Sequence, residues 1–291
     1  MRRILYRAMS TSRSKYGDEP LGDSVDRDYS SKLALFSSFA EPELRELIAV
    51  LEIAPGARIL DAGCGVGAAA RMLAERAGRA GFVTGLDLSA PHLAAARARG
   101  EGAWLQASLS APPLSENAFD WVWCMNAIHH VEDPVNALRS LGATLRPEGQ
   151  LVLCQSALLP DMVFAWDSET EWAAHAACRR YYRQEYGLEG APALAWRRGV
   201  GWLREAGFER VRPRTLVIER TAPLDEAARS YLEQAVFGGY WQSRIDAFLT
   251  VPQAQRLRQW LNPDSPEYAL KRPDFHFIQT LTCFIARKVE G

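Results

Sequence analysis

The chain has little to offer a metal, a membrane or a polyanion. Its five cysteines, Cys64, Cys124, Cys154, Cys178 and Cys283, are scattered with no C-x-x-C pair. The ligand spacing of a metal centre is therefore absent, and no metal is expected. The simplest expectation is that all five pack as small apolar side chains in a reducing, cytoplasmic setting. No apolar run approaches the roughly 18–20 residues of a membrane-spanning helix. The formal net charge is −1, which argues against a nucleic-acid partner, although a local basic patch stays open. Internal repeats and low-complexity tracts are also missing.

What is present suits an enzyme with a sizeable core. The 291 residues are 48% hydrophobic, enough for one elaborated domain or two small ones. The first 17 residues carry Arg2, Arg3, Arg7, Arg13 and Lys15 with no acid before Asp18. That composition fits a flexible basic leader, with an organellar transit peptide as the alternative. Nine tryptophans fall mostly outside the glycine-rich region. They suit an aromatic pocket or lid, or equally a tryptophan-rich core.

The most informative stretch is Asp61-Ala62-Gly63-Cys64-Gly65-Val66-Gly67. It follows an apolar run and precedes a helical pattern, so a strand turns sharply into a helix. Glycine permits that turn and lets a ligand approach backbone N–H groups. Gly63, Gly65 and Ala68 also satisfy the loose dinucleotide pattern G-x-G-x-x-A. Asp61 tips the balance, because a carboxylate there repels a pyrophosphate but suits an ammonium or sulfonium charge. Asp87 ends a second strand and suits a ribose in either kind of cofactor.

From residue 57 to 158 strands and helices alternate, which implies βαβ units and a parallel sheet. Expected strands are 57–62, 82–87, 103–106, 119–125 and 150–156. Pro147-Glu148-Gly149 reads as a turn into the last of these. Two helices are expected within 28–53. A helix over 200–207 with Gly207 as its cap, a strand near 209–219 and a final strand near 277–287 complete the pattern. We read residues 1–27 as a flexible N-terminal segment and 28–291 as one domain. It carries helical insertions at about 159–198 and 221–273.

The motifs together resemble the class I S-adenosylmethionine-dependent methyltransferases, in particular the ubiquinone/menaquinone-biosynthesis and natural-product type. Asp61 to Gly67 is similar to motif I. Leu86-Asp87-Leu88-Ser89 resembles the acidic strand end that binds the cofactor ribose. Phe119-Asp120-Trp121-Val122 and Asn126 to Pro134 are similar to the fourth-strand region. Leu145-Arg146-Pro147-Glu148-Gly149 resembles the turn into strand five, and Leu203 to Phe208 the late L-x-x-A-G-F helix end.

The resemblance implies a Rossmann-like α/β fold with a seven-stranded, mostly parallel sheet whose last strand is antiparallel. The helical insertions would form a lid. It implies S-adenosylmethionine as cofactor and S-adenosylhomocysteine as product. Asp61 would bind the methionine ammonium, and Gly63, Cys64 and Gly65 would approach the methionine and ribose. Asp87 would accept hydrogen bonds from both ribose hydroxyls. Leu88, Ala107 and Ser108 would line the adenine, with Ser108 standing where the family often has aspartate. The backbone of Asn126 would face the methionine moiety.

His129 and His130 follow the fourth strand and are the candidate catalytic bases, His129 first. Methyl transfer from a sulfonium is also open to catalysis by positioning alone, with no base. Tyr16, Trp166, Tyr181, Tyr182, Tyr240 and Trp241 are candidates for an acceptor pocket, with Tyr29, Trp172, His175, Tyr186 and Phe237 beside them. The expected activity is methyl transfer to an apolar or aromatic small molecule, at oxygen, nitrogen or carbon. The setting would be secondary metabolism or cofactor biosynthesis. The alternatives are a cyclisation or rearrangement on the same cofactor site, a binding protein with a vestigial site, and a nicotinamide oxidoreductase. The aromatic insertions could also serve a dimer contact, so monomer and homodimer both stand.

Overall fold

Strand β1, Arg58–Ala62, is buried from its second residue onward. Strand β4, Phe119–Met125, is almost wholly buried. Near-continuous apolar strands of this kind belong at the centre of a parallel sheet covered on both faces. The other strands are β2 (Phe82–Asp87), β3 (Ala103–Gln106), β5 (Leu145–Ser156), β6 (Phe208–Thr221) and β7 (His276–Lys288). The computed structural model describes residues 30–100, 102–157, 161–164, 167–186, 195–241 and 243–289.

The sheet order is β3-β2-β1-β4-β5-β7-β6. Strands β3, β2, β1, β4 and β5 run parallel. Strand β7 is antiparallel to both β5 and β6, as the resemblance implies for the last strand. The chain winds outward from β1 to β3 and then returns to lay β4 on the other side of β1. A crevice opens at such a switch point, at the carboxyl ends of β1 and β4.

Alternate residues of the strands feed two cores. Ile59, Trp121, Trp123, Val152 and Cys154 belong to one face. Leu60, Val122, Cys124, Leu151 and Leu153 belong to the other. Helices α1 (Ser30–Phe39), α2 (Glu41–Val50) and α3 (Ala68–Ala77) contribute to the first core, and α5 (Pro134–Thr144) to the second. Helix α4, Ala90–Ala98, follows β2. Within the expected insertions lie α6 (Ser168–Tyr186), a π-helical stretch Tyr231–Trp241 and a helix Val251–Leu261. Phe39 of α1 stacks on Tyr231 at 4.3 Å. Arg220 of β6 ties down the same region: it meets Glu43 at 2.6 Å, donates to the carbonyl of Phe39 and lies over that ring.

Two expectations are corrected. Pro147-Glu148-Gly149 does not precede β5 but lies within it. Leu145 already pairs with Phe119, and the register resumes at Gln150 opposite Trp121, with a bulge between. Glu148 takes a left-handed φ of 66° there, as an extra residue in a bulge requires. Second, Cys154 and Cys283 do not pack as separate thiols. The β5–β7 register sets them directly opposite one another, and they are joined by a disulfide. Cys64 and Cys124 are buried free thiols, and Cys178 is also buried.

Candidate functional site

Asp61, near the end of β1, is 1% exposed, and its Oδ2 has no hydrogen-bond partner. Burial, and then the charge of Asp87, push its carboxyl up to about 7, against a backbone N–H of Ala70 that pulls it down. An unpaired buried carboxylate is costly and calls for a cation. The loop that follows is close-packed. Gly63 has φ 78°, and a Cβ there would sit 2.3 Å from the Cβ of Ala127. Gly67 has φ 76°, and its Cβ would sit 2.5 Å from the Trp104 ring. Leu33 of α1 covers Gly65, 3.1 Å from where its Cβ would be. Cys64 between them is buried, and burial raises its thiol well above the usual range, so it is an inert part of the loop.

Asp87 ends β2 beside this loop. Its Oδ2 accepts from the Gly65 N–H at 2.8 Å. Its Oδ1 accepts from the Ser89 N–H at 2.9 Å and faces His92 Nδ1 at 3.3 Å. Burial opposes its ionisation, yet the bonds to His92, Ser89 and Gly65 hold the carboxyl below its ordinary value. Asp87 is thus a fixed negative charge, while Asp61 is poised near neutrality. Leu88 next to it is 47% exposed, an apolar surface at the strand end. Ala107 donates to the carbonyl of Asp87 at 3.1 Å, which brings the β3 end to the same place. Ser108 Oγ accepts from the Ser110 N–H at 3.2 Å.

The end of β4 is stapled to the end of β5. Asn126 takes φ 51°, and its Oδ1 accepts from the backbone N–H and hydroxyl of Ser156 at 2.8 and 3.1 Å. One turn on, His129 Nδ1 lies 2.9 Å from Gln155 Oε1. The amide oxygen can only accept, so Nδ1 carries the proton and Nε2 keeps its lone pair. Burial, then the neighbouring His130, push His129 down to about 3. The two rings lie 3.8 Å apart. His129 is therefore neutral at neutral pH, an acceptor of hydrogen bonds with little affinity for a proton.

Gln155, Ser156 and His92 were not singled out from the sequence. The signal for the first two is a polar pair closing the apolar run Leu151 to Cys154, and for His92 a histidine five residues after Asp87. Of the expected pocket residues, Tyr181 and Phe237 are buried in the first core, and Trp172 is 72% exposed. Tyr16, Tyr29 and Trp166 lie outside the described residues, as do the side chains of Tyr182, Tyr186, Tyr240 and Trp241. Among the described residues no His, Cys, Asp and Glu cluster could hold a metal ion. Among them, too, no helix is long and apolar enough to cross a membrane.

Residues 60–153 match the family model described as a methyltransferase domain. The chain is 30% identical over 156 residues to the methyltransferase GfsG of Streptomyces halstedii, covering 51% of this chain and 52% of that one. It is 37% identical over 107 residues to the 2-phytyl-1,4-naphtoquinone methyltransferase of Thermosynechococcus vestitus, covering 35% and 48%. The chain thus spans about half the length of the curated relatives it matches. Phosphoethanolamine N-methyltransferase 2 of Haemonchus contortus, solved with S-adenosyl-L-methionine, superposes with a TM-score of 0.52 at 18% identity. That likeness covers 91% of this chain and 59% of the other, and it speaks for the fold.

Proposed function

We propose that this chain, which belongs to the class I S-adenosylmethionine-dependent methyltransferases, transfers a methyl group from S-adenosylmethionine to a small-molecule acceptor. The observation that carries the reading is the buried, unpartnered Oδ2 of Asp61 beside a glycine loop, one strand away from the ionised Asp87. The residues fit the cofactor. Asp61 answers an ammonium, the Gly63 to Gly67 backbone admits close approach, Asp87 suits a ribose, and Leu88 offers an apolar face to a base. A bound pyrophosphate would instead meet two carboxylates.

When bound, S-adenosylmethionine supplies a methyl group already activated on a sulfonium. The chain's own task is then to place the acceptor and exclude water, which accounts for much of the rate in an in-line displacement. His129 Nε2 would accept a hydrogen bond from the acceptor's O–H or N–H and so orient its lone pair. Its pKa near 3 suits it to orientation more than to holding a proton. Gln155 and Ser156 would hold the loop that carries His129 and Asn126. A quinone-like or other apolar acceptor is the class we favour, in line with the naphthoquinone relative.

Calorimetric titration tests this reading. S-adenosylmethionine and S-adenosylhomocysteine should bind, NAD should not, and Asp87→Ala should weaken both at least roughly tenfold. Binding of NAD without the sulfonium pair would overturn it. Formation of S-adenosylhomocysteine in step with product would separate transfer from a cyclisation.

A further inference from the structure

Asn126 and His129 present complementary groups at the carboxyl ends of β4 and β5. A backbone donor fixes the Asn126 amide. Its Oδ1 takes the Ser156 N–H at 2.8 Å and the Ser156 hydroxyl at 3.1 Å. A backbone N–H can only donate, so the oxygen faces Ser156 and Nδ2 occupies the other arm of the amide. Asn126 is half-buried, and its Nδ2 keeps two N–H donors with no partner among the described residues. His129 is fixed in the opposite sense. Gln155 Oε1 holds the ring proton on Nδ1, so Nε2 is an acceptor only, again with no partner among the described residues. Neither Nδ2 nor Nε2 is enclosed as Asp61 Oδ2 is, so a ligand can reach both. The anchors Gln155 and Ser156 are adjacent on β5. Asn126 and His129 are three residues apart, with His129 in the 3-10 turn Ile128–His130. One strand end therefore holds a donor and an acceptor side by side.

A hydroxyl matches this pair as no other methyl acceptor does. Its oxygen has one proton and two lone pairs. The proton goes to His129 Nε2, one lone pair takes an Asn126 N–H, and the second is left for the methyl carbon. A neutral amine nitrogen has a single lone pair, and an Asn126 N–H on it would block the transfer. A carbon acceptor satisfies neither group. We infer that Asn126 and His129 form a donor–acceptor pair for a hydroxyl group, which makes oxygen the methyl-accepting atom and Asn126 a specificity-determining residue. The inference rests on the methyltransferase reading above and names the acceptor class within it. Among apolar acceptors it selects a hydroxylated ring over a bare one. In the step, a hydroxyl lone pair forms the C–O bond as the methyl–sulfur bond breaks. The electron pair of that bond stays on sulfur, which leaves as the neutral thioether. The hydroxyl proton departs along the hydrogen bond to Nε2 and passes on to water.

Calorimetry on the protein saturated with S-adenosylhomocysteine reads recognition apart from turnover. The probes are 1-naphthol, 1-naphthylamine and 1-methoxynaphthalene. 1-Naphthol should bind, and 1-methoxynaphthalene, which has no proton for Nε2, should bind roughly tenfold weaker or more. With S-adenosylmethionine supplied, the product should carry its methyl on the naphthol oxygen, with the amine methylated at no more than about one-tenth of that rate. Asn126→Asp is nearly isosteric and keeps an oxygen for Ser156, but it puts an acceptor where Nδ2 stood. The two N–H groups of an amine then suit two acceptors and leave its lone pair open. The amine-to-naphthol rate ratio should therefore rise at least roughly tenfold. A structural role alone for Asn126 would lower both rates alike and leave that ratio unchanged. An unchanged ratio, a methyl on ring carbon, or loaded wild type with no preference for 1-naphthol over 1-methoxynaphthalene overturns the inference and leaves the cofactor reading standing. Failure of S-adenosylhomocysteine itself to bind wild type overturns that reading, and the inference falls with it.

Discussion

Asp61 and Asp87 lie on adjacent strands, two residues out of step in a register that pairs Asp61 with Gly85, and they divide the charge between them. Asp87 is satisfied by Gly65, Ser89 and His92 and stays ionised. Its charge, added to burial, keeps Asp61 near neutrality. One acid is spent on architecture and fixed charge; the other is left wanting a cation.

Asp61→Asn should therefore stabilise the free protein at alkaline pH while removing cofactor binding. A carboxyl raised from 3.8 to about 7 binds protons in the native state that the unfolded state has already released. Its contribution is full below about pH 4 and is lost as pH rises through 7, at up to about 1.4 kcal/mol per pH unit. Urea unfolding from pH 4 to 8 should show the variant gaining on wild type by a few kcal/mol at the top of that range. Calorimetry should show S-adenosylhomocysteine binding at least roughly tenfold weaker. A variant with wild-type affinity would remove Asp61 from the site.

Gly63→Ala should cost about 2–4 kcal/mol, from a left-handed backbone and an overpacked contact together. Its Cβ would lie 2.3 Å from the Cβ of Ala127, so Ala127→Gly in the same chain should recover the steric part and leave the backbone part. Denaturant unfolding of the two singles and the double separates them. Recovery absent in the double would mean that the φ of 78° accounts for the whole cost.

Much of this was legible before the structure because central parallel strands are nearly pure apolar runs. β2 and β4 fall at residues 82–87 and 119–125, as their patterns predict. The glycine loop was legible because three glycines after an acid have few other uses. Contacts between distant segments left no local trace. The Cys154–Cys283 bond depends on a register between residues 129 apart, and no spacing rule reveals it. The bulge at Glu148 depends on where Phe119 pairs, while the residues Pro147-Glu148-Gly149 look like a turn in any context. Gln155 against His129 is a meeting of two strand ends. Tyr181 and Phe237 read as pocket walls from composition, yet aromatic side chains at helical spacing are equally core, and core is where they lie.

The Arg220–Glu43 pair should matter more than a surface ion pair. The two side chains are only 16% and 14% exposed and meet at 2.6 Å. Glu43→Ala leaves the Arg220 charge against only the carbonyls of Phe39 and Glu219 and the Phe39 ring. The expected loss is about 1–3 kcal/mol, toward the range for a broken buried pair, read by urea unfolding. Replacing both partners by methionine should cost less than Glu43→Ala. A loss below about 0.5 kcal/mol for the single variant would class the pair with exposed salt bridges.

His129 gives stability the opposite pH dependence from Asp61. Its pKa falls from 6.5 to about 3 on burial, so between those values the unfolded state binds a proton that the native state refuses. Stability is then independent of this group above about pH 6.5 and declines as pH falls toward 3, by up to about 1.4 kcal/mol per unit. In wild type the two slopes partly cancel between pH 4 and 6.5, so each is visible only in the other's absence. His129→Gln should leave the Asp61 slope exposed, with stability rising as pH falls from 7 to 4. Nitrogen-15 spectra of wild type should show His129 neutral with its proton on Nδ1 down to pH 5. Gln155→Glu should raise its pKa by placing a carboxylate against that proton. A His129 that titrates near 6.5 in wild type would sink both the burial argument and the role assigned to Gln155.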